Sequence, residues 1–266
     1  MCDSCGCGEP THIHEHTHEH DNSHEHDQQH HHNGSASTHH ADDHEHLPDG
    51  RVILVQKDIL GENNRIAERN RGYLEAREAV CFNVVGSPGS GKTTLLERTC
   101  KDLGKEHMFY VIEGDQQSSL DAERIEATGV KAIQINTEYG CHLDAAMVNK
   151  AMKELDVKEK STTFIENVGN LVCPAMFDLG ETKRVVIYSV TEGNDKPLKY
   201  PYMFRSAHLA VITKTDLIPY VDFDLEQARA DILRTHPGIE IIELSVKSGE
   251  GLEAWYGWVK DARREM

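Results

Sequence analysis

Gly86-Ser87-Pro88-Gly89-Ser90-Gly91-Lys92-Thr93, followed at once by Thr94, decides how this chain folds. The stretch matches the pattern G-x-x-x-x-G-K-[ST] in full. An apolar run, Phe82–Val85, lies ahead of it, and Thr94–Cys100 behind it has helical character. The glycines therefore fall in a strand-to-helix turn, where a backbone without Cβ atoms curls until successive N–H groups converge on an anion. Lys92 is placed to reach the β- and γ-phosphates of a nucleotide, and the Thr93 hydroxyl to bind Mg²⁺. A chance match is the competing reading, and the strand before and helix after argue against it.

The same alternation continues to the C-terminus. Short apolar runs at Phe82–Val85, Phe109–Ile112, Ala132–Ile135, Thr163–Glu166, Val185–Val190, Leu209–Thr213 and Glu240–Leu244 are separated by polar helical patterns. Several are unbroken, as strands covered on both faces should be. The fold class expected is α/β, a doubly wound and mostly parallel sheet of the P-loop NTPase kind. Ligands in that architecture sit beyond the carboxyl ends of the strands.

The chemical motifs fall at those ends. Thr213-Lys214-Thr215-Asp216 follows one strand and resembles the guanine-specificity element N/T-K-x-D, with Thr where Asn is commoner. The Asp216 carboxylate accepts two hydrogen bonds from guanine N1–H and the 2-amino group, a donor pair that adenine lacks. Ser245-Val246-Lys247, after the last strand, resembles the S-A-K element that backs the base. Glu166-Asn167-Val168-Gly169 forms E-x-x-G where most GTPases have D-x-x-G, so Glu166 is a candidate Mg²⁺ ligand and the Gly169 N–H a candidate sensor of the γ-phosphate. Asp115 in Glu113-Gly114-Asp115 is a second Mg²⁺ candidate, although polar residues also end strands for ordinary reasons. No glutamine or histidine presents itself to position water, so slow intrinsic hydrolysis of GTP to GDP is expected.

The N-terminal part has a different composition. Fourteen of the 18 histidines lie between His12 and His46, interleaved with Asp and Glu, in a stretch almost free of aliphatic residues. Such a segment buries too little apolar surface to offset its ordering entropy, and a disordered His-rich tail over residues 1–50 is expected. A charged Ala/Glu/Arg-rich helix with a thin apolar stripe connects it, over residues 51–80, to the GTPase domain at residues 81–266. The net charge of −17 argues against nucleic acid as a partner. No apolar stretch spans a bilayer and no hydrophobic signal region opens the chain, so no membrane association and a cytoplasmic location are expected. In that compartment the seven cysteines are reduced thiols, free to meet metals.

Three candidate metal sites stand out. Cys2, Cys5 and Cys7 place three thiols within six residues, and soft sulfur at C-x-x-C spacing suits Ni²⁺ or Zn²⁺; a redox role is the rival reading. The His tract offers capacity with little selectivity, which suits a metal store, the alternative being a passive solubilising tail. Gly140-Cys141-His142 and Leu171-Val172-Cys173-Pro174 form the third, because both lie in switch-like loops after strands that lead to the nucleotide. Two thiols and one imidazole leave the shell incomplete, so a second subunit is a candidate to fill it. Cys81 and Cys100 flank the phosphate loop's strand and helix and read as structural.

Taken together, C-x-x-C-G-C-G, the His tract, E-R-N-R, G-S-P-G-S-G-K-T-T, E-G-D-Q-Q, G-C-H-L-D, E-N-V-G-N-L-V-C-P and D-K-P-L-K-Y-P resemble the HypB family of nickel-incorporation GTPases over nearly the whole chain. That resemblance implies a fold of the signal-recognition and MinD-like class and dimerisation through the nucleotide face. It implies GTP-driven delivery of nickel to the [NiFe]-hydrogenase large subunit, with a HypA-type accessory protein as partner. The family's metal ligands then fall on Cys2, Cys5 and Cys7 and on Cys141, His142 and Cys173, with Zn²⁺ an alternative occupant of the latter. Two other readings stay open: a nickel or zinc storage protein, and a GTPase chaperone for another metalloenzyme such as urease.

Overall fold

The computed structural model describes residues 50–115, 120–137 and 140–264. The expected disordered tail lies outside them. The described residues form one parallel sheet in the order β3-β2-β4-β1-β5-β6-β7. Its strands are β1 Val80–Gly86, β2 Phe109–Asp115, β3 Lys131–Asn136, β4 Thr162–Glu166, β5 Lys183–Ser189, β6 Leu209–Thr213 and β7 Glu240–Glu243. Every neighbouring pair is parallel. The fold is thus the α/β P-loop architecture expected. Each apolar run named above is a strand, with bounds shifted by a few residues at most. The central strands β1 and β4 are buried at every position, whereas the edge strands β3 and β7 are half exposed.

Because side chains alternate across a strand, β1 feeds both faces. Phe82 and Val84 point to one side, where they pack with Leu95, Leu96, Ile125 and Trp255. Those partners come from α2 Lys92–Leu103, α3 Leu120–Glu126 and α8 Leu252–Ala262. Phe82, Phe109 and Phe164 stack there at centroid distances of 5.4 and 5.6 Å. The buried Trp255 Nε1 donates to Thr99 Oγ1 at 2.8 Å, so its one polar atom is satisfied. Cys81 and Val85 point the other way, toward α1 Gly50–Glu75 and α4 Ala145–Glu154 at one end, and α6 Pro201–Ser206 and α7 Leu225–Thr235 at the other. The short α5 Lys196–Lys199 precedes α6.

The chain leaves β1 to build β2, β3 and β4 on one side of it, then crosses to β5, β6 and β7 on the other. The crevice beyond the carboxyl end of β1 is a topological switch point, the place where such sheets bind ligands. No helix among the described residues is long and apolar enough to cross a membrane.

Candidate nucleotide and metal site

The loop from Gly86 to Gly91 runs directly from β1 into α2. Gly91 caps the helix in the left-handed region (φ 100°), which a side chain would strain. Lys92 is buried and lies back over the loop, its Nζ 3.4 Å from the Gly86 carbonyl and 3.2 Å from that of Ser87. These carbonyls hold the ammonium where a phosphate would take it over. Thr93 donates its hydroxyl to Glu166 Oε1 at 2.8 Å. Gly169 presses against the loop so closely that a Cβ there would stand 2.9 Å from Pro88 Cγ. A cavity of about 580 Å³ opens between these elements, with Pro88, Gly89, Gly91, Lys92, Thr93, Thr94, Asp115, Glu166, Gly169 and Lys214 among its walls.

The acidic side contains a residue that no motif marks as a ligand. Glu113 and Glu166 are register partners on adjacent strands, and both are buried. Burial, and next the Glu166 charge, raise the Glu113 carboxyl far above its ordinary value. Glu166 is raised as well, burial outweighing the opposing pull of Lys92 and the Thr93 hydroxyl. Glu113 Oε1 and Glu166 Oε2 have no hydrogen-bond partner among the described residues. Buried acceptors without donors, beside a threonine hydroxyl, are a donor set that suits a hard divalent cation such as Mg²⁺. Asp115 stands at the end of the same strand, in the cavity wall. The pairing of Glu113 with Glu166 could not be read from spacing, because they lie on strands brought together only by the fold.

On the base side, the Thr213 hydroxyl donates to the Ser90 carbonyl at 2.7 Å and so ties β6 to the phosphate loop. Thr in the usual Asn position thus still anchors the loop. Lys214 adopts φ 59° and donates its Nζ to the Gly89 carbonyl at 2.7 Å. Asp216 Oδ1 accepts from Ser245 Oγ at 2.6 Å, and Ser245 Oγ accepts from the Ser248 N–H at 3.2 Å. The two sequence elements thereby meet, with one carboxylate edge aimed by Ser245. Val246 is half buried and its carbonyl lies 3.5 Å from Arg98 Nη1, while Lys247 is exposed.

The third group assembles from the segments that follow β3 and β4. Cys141, His142 and Cys173 bring one sulfur, one imidazole nitrogen and one sulfur within 4.8 Å of one another, all half buried. Among the described residues this is the one such cluster of three. Cys141 Sγ lies 3.6 Å from His142 Nδ1. The His142 ring stacks on Phe177 at 3.8 Å, and its burial lowers the imidazole below its ordinary value, favouring the neutral form that a metal requires. The Cys173 thiol is raised, first by its hydrogen bond with Cys141 and then by burial. The set is soft and leaves a fourth position open, which suits Ni²⁺ or Zn²⁺ as cargo. Cys141 also lines the nucleotide cavity, and Asn170, one residue beyond Gly169, donates to the Cys141 carbonyl at 3.5 Å. Cys2, Cys5, Cys7 and the His tract lie outside the described residues. Cys81 and Cys100 are buried free thiols, as structural residues in those positions should be.

Known proteins resemble this chain in sequence and in fold. Residues 80–243 match the family model described as CobW/HypB/UreG, nucleotide-binding domain. The hydrogenase maturation factor HypB of Azotobacter vinelandii is 54% identical over 217 residues, which cover 82% of this chain and 72% of that protein. The probable hydrogenase maturation factor HypB of Methanocaldococcus jannaschii is 40% identical over 215 residues, covering 81% of this chain and 97% of that one. Among solved structures, HypB from Archaeoglobus fulgidus superimposes with a TM-score of 0.73 at 43% identity, over 77% of this chain and 100% of that chain. HypB from Helicobacter pylori, solved in complex with nickel, gives 0.72 at 37% identity, over 77% and 96%. With this agreement in sequence and in three dimensions, the chain belongs to the HypB family of hydrogenase maturation factors.

Proposed function

We propose that this chain is a GTP-hydrolysing nickel metallochaperone that delivers nickel to the large subunit of a [NiFe]-hydrogenase. A HypA-type accessory protein is its partner, and its working form is a cytoplasmic homodimer closed by GTP or metal. One observation carries the reading: Cys141 belongs to the metal cluster and also lines the nucleotide cavity. A change at the γ-phosphate therefore reaches a metal ligand without crossing the molecule. That a relative from Helicobacter pylori was solved with nickel supports the choice of metal.

Lys92 leaves the loop carbonyls for the β- and γ-phosphates, and Asp216 with Ser245 selects guanine. Thr93, Glu166 and Asp115, with Glu113 against Glu166, would hold Mg²⁺, which would supply charge neutralisation at the phosphates. Gly169 donates its N–H to the γ-phosphate, which displaces the 168–171 segment. Hydrolysis releases that segment, changes the ligand geometry and lowers nickel affinity.

The test is nickel and zinc titration of the full chain with GDP and with a non-hydrolysable GTP analogue, beside Cys141→Ala. The core-site affinity should differ between nucleotide states by about 5- to 150-fold, and the difference should vanish in the variant. Equal affinities in the parent chain rule out nucleotide-driven transfer, because the coupling must be reciprocal. The histidine-rich tract favours a second role, storage, which its deletion separates from delivery.

A further inference from the structure

A line of buried polar side chains runs between the nucleotide cavity and the metal cluster, and neither site uses it as a ligand. Asn167 follows Glu166 at the end of β4, where its N–H donates to the Val84 carbonyl at 2.9 Å and fixes it to β1. Its side-chain Oδ1 accepts two backbone N–H groups. One is Val168, the residue before Gly169, at 3.0 Å; the other is Leu143, the residue after His142, at 3.3 Å. A single amide oxygen thus holds both the γ-phosphate loop and the loop of two metal ligands.

The other end of the amide continues the line. Asn167 Nδ2 donates to Asn83 Oδ1 at 3.2 Å, and Asn83 Nδ2 donates to Glu181 Oε1 at 3.1 Å. Arg184 meets the same carboxylate through Nε at 2.9 Å and Nη2 at 2.7 Å. Its guanidinium also donates to the carbonyls of Ala175 at 3.1 Å and Phe177 at 2.8 Å, within the segment that begins at Cys173. The Phe177 ring lies against His142. Asn83 and Asn167 are buried, and the Glu181 and Arg184 side chains expose only 6% and 7% of their surface.

From the Val168 and Leu143 N–H groups through Asn167 and Asn83, every donor points toward Glu181, and Arg184 donates both to that carboxylate and to the two carbonyls beyond it. Turning either amide over would set acceptor against acceptor, or donor against donor, where water cannot compensate. The network therefore has one satisfied arrangement. If Val168 and Gly169 shift, either a buried bond breaks or Leu143 moves with them.

We propose that Asn167 is the positioning residue that makes the γ-phosphate loop and the Cys141–His142 loop move as one, with Asn83, Glu181 and Arg184 carrying the displacement to the Cys173 segment. The consequence for metal transfer rests on the function proposed above; the mechanical link does not. It requires only that nucleotide state displaces the Gly169 loop.

The experiment is backbone hydrogen exchange on the full chain with GDP and with a non-hydrolysable GTP analogue, for the parent and Asn167→Ala, alongside nickel titration. In the parent, exchange at 168–171, 140–144 and 173–179 should all respond to the γ-phosphate. In the variant the response at 168–171 stays, those at 140–144 and 173–179 disappear, and the nickel-affinity ratio between nucleotide states falls to about one. A variant that keeps the parental response at 140–144, or a parent that shows none there, overturns the proposal. If the parental loops respond together while nickel affinity does not change, the link stands and the transfer function fails. If affinity changes and Asn167→Ala leaves the ratio intact, the function stands and the link fails. Should Asn167→Ala not fold, Asn83→Ala decides the matter: response kept at 140–144 and lost at 173–179 supports the relay, and both kept overturns it.

Discussion

At the carboxyl ends of β2 and β4, Glu113 and Glu166 face each other with little solvent and one unpartnered oxygen each. Two buried carboxylates cannot both ionise cheaply, so without a cation the fold favours a proton on the pair. The sign follows from linkage. With the folded value of Glu113 raised above 4.5, its stabilising contribution is complete below about pH 4.5 and is lost as pH rises toward the raised value. Glu113→Gln removes the titrating group and keeps the shape. Without Mg²⁺ and nucleotide, the variant's stability advantage should therefore grow from about pH 5 upward, by at most about 1.4 kcal/mol per pH unit. Thermal melts of both proteins across that range check it, and a pH-independent difference defeats the argument. At the same scale, burial lowers the His142 imidazole while the hydrogen bond with Cys141 raises the Cys173 thiol, so binding of a metal at Cys173 must displace a proton that the cluster itself holds more firmly.

Helix α1 shows what elements add. From residue 60 on, where its side chains are described, the buried positions are Asn63, Ala67, Asn70 and Leu74, two of them amides. Asn63 accepts from the Ala145 N–H at 2.9 Å and donates to the Asp178 carbonyl at 2.8 Å. Asn70 donates to the carbonyls of Ala145 at 2.8 Å and Leu179 at 2.9 Å. One helix thereby clamps the start of α4, just beyond the Cys141–His142 loop, and the segment just beyond Phe177. The clamp depends on close approach at Gly180, which adopts φ +82° and where a Cβ would lie 2.4 Å from the Ala67 carbonyl oxygen. Gly180→Ala combines left-handed backbone strain with a backbone clash, and should cost about 2–4 kcal/mol. Urea unfolding with an unchanged slope would register it as a lower midpoint. A loss under about 0.5 kcal/mol would show that the helix does not bear on this segment.

At the scale of the whole molecule, the chain joins a histidine-rich stretch, whose composition suits a metal store, to a folded unit with a three-ligand cluster beside a nucleotide cavity. Capacity and gating should then be separable. Deleting residues 12–46 removes fourteen histidines, enough at about four ligands per ion for about three nickel ions. Nickel bound per chain should fall by that number, while the affinity ratio between nucleotide states at Cys141, His142 and Cys173 is unchanged. Equilibrium dialysis with both nucleotides reads both quantities. A deletion that abolishes the ratio would place the switch in the tract and return storage to the lead.

The seven strands, their parallel arrangement and the phosphate loop were legible in the chain itself, because apolar runs and a glycine-led turn are local properties of the sequence. So were Asp216 and Ser245 as a pair, and the Cys141, His142 and Cys173 set, since each falls just past a strand whose carboxyl end faces the ligand crevice. The sequence could not show that Glu113 stands against Glu166, that Thr213 braces Ser90, or that Asn83, Asn167, Glu181 and Arg184 join in one line. Nor could it show that Asn63 and Asn70 of α1 are buried and bond to the backbone at Ala145, Asp178 and Leu179. Some of these residues lie 115 and 123 positions apart, and a buried polar side chain has no periodic signature. Its position is settled only when the packed sheet and helices leave one arrangement in which every donor finds an acceptor.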